Sequence, residues 1–260
     1  SQAHRHLTDI APLLEARVPL FVDKPLAPDY DQARRILDLA AQHDAPFFSC
    51  SARRFSGNYN ALFDPIRAGK IGPLLWVECF EPHGTRPGYW QDVKRRSGGL
   101  AVNYGVHVVD PIVRALGATP RAVHAFAARR VLTEVDSEDT AVISIQFADG
   151  VIALGKVGGG YHFGCGKPVP TVGHFVAHGA DGALETFIDE TDVKVYRGGN
   201  FGVDETAYHY KGGYQGLLAA FQTMIRTGQR PVSFSVMDAA MRILDAARRS
   251  IDTGTVIALA

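Results

Sequence analysis

Cysteine is scarce: three in 260 residues, Cys50, Cys79 and Cys165, widely spaced and odd in number. No Cys-x-x-Cys pair occurs, which argues against a disulfide framework or a zinc knuckle and for a reducing compartment. Charge of one sign is missing too, since 27 Lys and Arg balance 27 Asp and Glu. Proteins that grip nucleic-acid phosphates carry a basic excess, so no nucleic-acid partner is expected. No apolar run approaches the roughly 18 residues of a membrane helix, and no signal peptide opens the chain. A soluble, cytoplasmic protein with no membrane partner is the expectation. His-Glu-x-x-His, Walker and Gly-x-Gly-x-x-Gly patterns are absent, so no metal is expected. Gly158-Gly159-Gly160 and Gly164-Cys165-Gly166 read as a loop rather than a phosphate cradle. The chain opens on Ser1 rather than methionine. Its natural start is expected to lie upstream, with any targeting signal.

What is present is globular: 46% apolar and 21% charged residues, enough for a core without staples. Leu7, Ile10, Leu13 and Leu14 predict a helix over 7–16. Residues 18–22 and 46–50 are short apolar runs, the mark of parallel strands covered on both faces. Between them Ala33, Ile36, Leu37, Ala40 and Ala41 predict a helix over 30–43 with Asp29 as N-cap. The grammar then changes. A helix near 57–69, a strand over 74–80 and a polar loop over 81–99 lead to a helix over about 100–116. Ala141, Ile143, Ile145 and Phe147 alternate with mostly polar neighbours, Asp149-Gly150 turns, and 151–157 returns. Residues 175–177 and 183–187 pair around Ala180-Asp181-Gly182, and helices near 213–227 and 236–252 close the chain. Strands bunched apart from helices indicate an α+β domain on a largely antiparallel sheet.

Asp23-Lys24-Pro25 follows the first strand, at the carboxyl edge where α/β sheets bind ligands. Pro25 restricts Lys24 to extended backbone and so fixes its direction. A solvated loop lysine is the alternative. Along 100–116, Val102, Val106, Val109, Val113 and Leu116 form a core stripe. Asn103, His107, Asp110 and Arg114 form a polar one. Asn103 and His107, four apart, are expected on one helix face, able to touch a common small molecule. A hydrogen-bonded structural role for His107 stays open. Arg53-Arg54 follows the second strand and suits a substrate oxygen or carboxylate, or a surface pair. Tyr89 and Trp90 suit a pocket wall or core packing. His174 and His178 share a strand face, but no carboxylate stands at ligand spacing, so a metal site there is not expected.

The order of His6, Val18-Pro19-Leu20-Phe21-Val22-Asp23-Lys24-Pro25-Leu26-Ala27, Arg53-Arg54-Phe55, Gly69-Lys70-Ile71-Gly72, Gly98-Gly99 and Gly105-Val106-His107 resembles the glucose–fructose oxidoreductase / inositol dehydrogenase / rhizopine-catabolism (Gfo/Idh/MocA) family. The resemblance runs over nearly the whole chain. It implies an NAD(P)-dependent oxidoreductase acting on sugars, cyclitols or related polyols. It also implies α/β plus α+β architecture: the remnant of a parallel Rossmann sheet over 1–51, then a substrate-binding and oligomerisation domain over 52–260. The second domain carries a large open, mostly antiparallel sheet, and a homo-oligomer through that open face is implied.

By the same resemblance the family lysine falls on Lys24, with Asp23 replacing a glutamate, and the acid/base histidine falls on His107. The family aspartate four residues earlier is replaced by Asn103, which hydrogen-bonds but carries no charge to favour protonated His107. Lys24, His107 and Asn103 are thus the implied catalytic residues. Lys24, Pro25, His6 and Arg53 are implied beside the NAD or NADP cofactor. Arg53, Trp90 and Tyr161 join Lys24, Asn103 and His107 around the substrate. The glycine-rich turn of the family is expected upstream of His6, so the 260-residue chain alone is expected to bind NADH and NADPH weakly. A non-catalytic sugar-binding or assembly protein of the same descent is the alternative reading.

Overall fold

The computed structural model describes residues 2–82, 89–117, 119–130, 133–158, 173–187, 193–197, 205–207 and 214–259. The first layer is helix, strand, helix, strand: α1 (His6–Glu15), β1 (Leu20–Val22), α2 (Tyr30–Gln42) and β2 (Phe47–Ser49). β1 and β2 run parallel, with Leu20 opposite Phe47 and Val22 opposite Ser49. Asp29 caps α2, its carboxylate accepting the Gln32 amide at 2.8 Å. Ala33, Ile36, Leu37 and Ala40 turn inward, while Ala41 faces solvent. On α1 the buried stripe is Ile10 and Leu14, and Leu13 is exposed. Leu13 sits about 100° round the helix from Leu14, outside the stripe that spacing set.

The second layer is a nine-stranded sheet. Its strands are β3 (Leu74–Glu81), β4 (Pro120–Ala128), β5 (Thr140–Phe147), β6 (Ile152–Gly158), β7 (His174–Gly179), β8 (Gly182–Phe187), β9 (Val193–Arg197), β10 (Glu205–Ala207) and β11 (Ile257–Ala258). The order is β10-β9-β8-β7-β3-β6-β5-β4-β11, antiparallel throughout except where β3 meets β6. Val77, Cys79, Ile143, Ile145, Ala153, Phe175, Leu184 and Val195 point to one face and are buried. The helices α3 (Gly57–Arg67), α4 (Lys94–Ser97), α5 (Leu100–Asn103), α6 (Val106–Leu116), α7 (Tyr214–Thr227) and α8 (Phe234–Thr253) complete the chain. α3, α6 and α8 cover the inner face. The other face carries half-exposed Trp76 and Phe80 with Ile152 at 48% and Phe126 at 65% exposure. β4, β9, β10 and β11 have no counterpart among the expected strands. β4 reads Pro-Arg-Ala-Val-His-Ala-Phe-Ala-Ala, too alanine-rich to declare itself by propensity.

α8 joins the two layers. The Ser49 amide donates to Met237 Sδ at 3.1 Å, and the Tyr30 hydroxyl donates to Asp238 at 2.8 Å. The expected boundary after residue 51 falls between β2 and a single 3-10 turn, Ala52–Phe55. Among the described residues, no helix is long and apolar enough to cross a membrane.

Candidate active site

Lys24 leaves the carboxyl end of β1 beside exposed Asp23 and precedes a cis peptide bond to Pro25. Its half-buried side chain reaches across to the second layer. Nζ donates to the backbone carbonyl of Asn103 at 3.0 Å and lies 4.5 Å from the centre of the Tyr104 ring. Burial pulls its pKa down to about 8, against the opposing pull of Asp23 and Glu81. The loop behind it is anchored by His6, which is buried and bonded through Nδ1 to the Leu26 carbonyl at 2.9 Å. A carbonyl only accepts, so Nδ1 carries the hydrogen. His6 thus anchors the Lys24 loop from within the core.

The helix expected over 100–116 is two helices. α5 ends at Asn103, α6 begins at Val106, and Tyr104 and Gly105 form a break. Glu138 accepts the Leu100 amide at 2.9 Å and so satisfies the start of α5. Gly98 precedes it at φ +81°, and a Cβ there would sit 2.4 Å from the Pro28 carbonyl oxygen. At Gly105 a Cβ would sit 1.8 Å from the Ala101 carbonyl oxygen, so the break closes only around glycine. Asn103 and His107 therefore do not share one face of a continuous helix, contrary to the spacing argument. Asn103 is 2% exposed, and among the described residues its Oδ1 has no hydrogen-bond partner. The Tyr104 ring is a neighbour of both groups, with Lys24 Nζ over it and the His107 ring centre 6.2 Å away.

His107 is held from the first layer. Its Nδ1 is 2.8 Å from Ser51 Oγ, and that oxygen also accepts the Arg53 amide at 3.2 Å. One turn along, Arg54 meets Asp110 in a buried ion pair, Nη2 to Oδ1 at 2.6 Å. Arg53 turns to Glu81, with Nε at 3.2 Å from Oε2 and Nη2 at 3.0 Å from Oε1. Its charge is thus matched within the fold rather than held for a substrate carboxylate. Trp90 is half-buried in the short turn Trp90–Asp92. Tyr161 lies outside the described residues.

Ser51, Tyr104 and Glu81 were not among the residues read from the sequence. Ser51 obeys the rule that singled out Lys24, being just past the carboxyl end of a buried strand. Nothing local marks Tyr104 or Glu81. The histidine pair on β7 also needs correction. His174 does meet a carboxylate, Glu78 on β3 at 2.7 Å, with Lys156 Nζ at 2.6 Å on the same oxygen. The neighbour comes from strand pairing, invisible to linear spacing. Among the described residues no group of three or more His, Cys, Asp or Glu could hold a metal ion.

A small parallel sheet joined to a broad, mostly antiparallel one, with helices on the inner face of the latter, is a fold shared with solved structures. The structure of GenD2 from gentamicin A biosynthesis, in complex with NAD, superposes with a TM-score of 0.83 at 20% identity, covering 100% of this chain and 77% of that one. Residues 59–185 match the GFO/IDH/MocA C-terminal domain. An uncharacterised oxidoreductase of Schizosaccharomyces pombe is 25% identical over 219 residues, 79% of this chain and 57% of the relative. A myo-inositol 2-dehydrogenase of Thermotoga maritima is 24% identical over 259 residues, 97% of this chain and 76% of the relative. The chain spans 57% and 37% of the first two curated relatives it matches. Over residues 59–185 the chain is thus similar to the C-terminal domain of the Gfo/Idh/MocA family.

Proposed function

We propose that this chain serves an NAD(P)-dependent oxidoreductase that moves a hydride between nicotinamide and the carbinol carbon of a sugar, cyclitol or related polyol. One observation carries the reading. At the carboxyl edge of β1 and β2, a half-buried lysine of lowered pKa lies against the backbone of Asn103, whose carboxamide oxygen is buried and, among the described residues, unpartnered. A buried acceptor without a donor is costly, and a substrate hydroxyl supplies the donor. Lys24, Pro25, His6 and Arg53 are the residues that would hold a nicotinamide cofactor at this edge. When bound, it supplies the hydride chemistry. Asn103 orients the substrate, and Lys24 and His107 together hold and polarise the reacting oxygen as its proton leaves or returns. Arg53 and Trp90 are the proposed neighbours of the substrate, at the end of β2 and in the turn Trp90–Asp92. The exposed apolar face of the nine-stranded sheet serves assembly of identical copies.

The test is oxidation of a panel of aldoses and cyclitols with NAD or NADP, run on this chain and on any longer chain that contains it. Lys24→Met and His107→Ala are each expected to lower turnover at least about 100-fold while the fold, read by circular dichroism, persists. Near-wild-type turnover in both variants excludes the pair from the chemistry. Sugar binding without turnover in any chain favours the non-catalytic alternative.

A further inference from the structure

We infer that Ser51 is a positioning residue that fixes neutral His107 as the Nε2–H tautomer, making its Nε2 a hydrogen-bond donor toward substrate and not a base. Ser51 Oγ has one hydrogen and two lone pairs. The Arg53 amide uses one lone pair at 3.2 Å, and the oxygen then meets His107 Nδ1 at 2.8 Å. Ser51 is 0% exposed, so its hydroxyl hydrogen has no solvent to turn to. If Nδ1 carried a hydrogen and donated it, Oγ would accept twice and its own hydrogen would be left buried and unpaired. If the hydroxyl donates to a bare Nδ1, every group is used. The hydrogen of the neutral ring then resides on Nε2.

The geometry that holds this contact is built for register. Ser51 to His107 and Arg54 to Asp110 are two rungs between the same 3-10 turn and the same helix, α6, three residues apart on each. The buried Arg54–Asp110 pair sets the distance between turn and helix, and Ser51 then meets the imidazole. A carboxylate partner would enforce the opposite outcome, since it accepts a hydrogen from the ring and leaves the other nitrogen bare as a base. Here the residue four before His107 is Asn103, whose backbone carbonyl is turned to Lys24.

The consequence rests on the redox reading and divides its roles. In the oxidative direction the substrate O–H bond breaks and a bond forms from that hydrogen to the neutral Lys24 amine, giving an ammonium. A nicotinamide held at this edge would take the hydride of the carbinol carbon, and the oxygen would keep the electron pair that becomes the carbonyl. His107 Nε2–H steadies that oxygen throughout. Burial lowers the pKa of Lys24 to about 8, so the neutral amine that the step needs becomes the major form only above that pH.

The test reads the ring directly. Ring nitrogen chemical shifts of His107 are measured on the full chain labelled with 15N-histidine, the signal being assigned by its loss in His107→Asn. Wild type and Ser51→Thr are expected to show bare Nδ1 and protonated Nε2. Ser51→Ala is expected to shift both nitrogens toward a tautomer mixture. Protonated Nδ1 in the wild type, or a ring unchanged in Ser51→Ala, would overturn the inference. The reading needs no turnover, so failure of the dehydrogenase assay leaves the tautomer result standing, and a wrong tautomer leaves the dehydrogenase reading standing.

Discussion

The Lys24 side chain leaves a buried strand and brings its ammonium against a backbone carbonyl and an aromatic ring, with the carboxylates of Asp23 and Glu81 near enough to pull on it. Burial outweighs them. A lysine whose folded pKa is about 8, against 10.5 unfolded, penalises the folded state wherever it stays charged, below pH 8. Between pH 8 and 10.5 the unfolded chain binds more protons, so stability rises with pH across that window. Lys24→Met lacks this group, and its stability relative to wild type is expected to fall by about 2 kcal/mol as pH rises through the window. Urea midpoints of both proteins at each end measure it, and parallel curves would show that Lys24 titrates normally. The sequence already pointed to Lys24 and His107, because strand ends and helix spacing carry positional meaning. It could not supply Ser51, Tyr104 or Glu81 as their neighbours, since those contacts join segments far apart in the chain.

At the scale of elements, α6 is the post on which the site hangs. Val106, Val108, Val109, Ile112 and Val113 bury it in the core, while Asp110 ties it to Arg54. Its separation from α5 escaped the periodicity argument for a definite reason. Val102, Val106 and Val109 keep helical spacing across the break, so the apolar pattern runs on while the backbone does not. What cuts the helix is tertiary: Glu138 holding the start of α5, and Ala101 pressed against Gly105. Gly105→Ala is accordingly expected to destabilise the protein by about 2–3 kcal/mol, well beyond the usual helix preference for alanine. Chemical denaturation checks this, and a stability gain would mean that the break is not enforced. The hairpins around Asp149-Gly150 and Asp181-Gly182 needed no such information, because turn chemistry and alternation agree locally.

For the whole molecule the open face of the nine-stranded sheet is the feature to explain. Phe126, Val142 and Ile152 stand exposed on strands β4, β5 and β6 while the opposite face is packed under helices. If identical copies meet there, Phe126→Asp combined with Ile152→Lys is expected to lower the assembly state without unfolding the protomer. Sedimentation of the variant beside wild type decides this, and an unchanged mass excludes the face as the contact. Local chemistry alone determined the α/β opening, the antiparallel sheet domain, the hairpins, the Asp29 cap and the place of Lys24 at a strand's carboxyl end. These follow from periodicity, turn residues and the direction of a parallel strand. The strand order with its single parallel pair, the break before α6, and the meeting of Lys24, Asn103, Tyr104, Ser51 and His107 were settled only by packing. Each depends on contacts between segments distant along the chain, and no short-range pattern encodes which distant groups will satisfy a buried donor or charge.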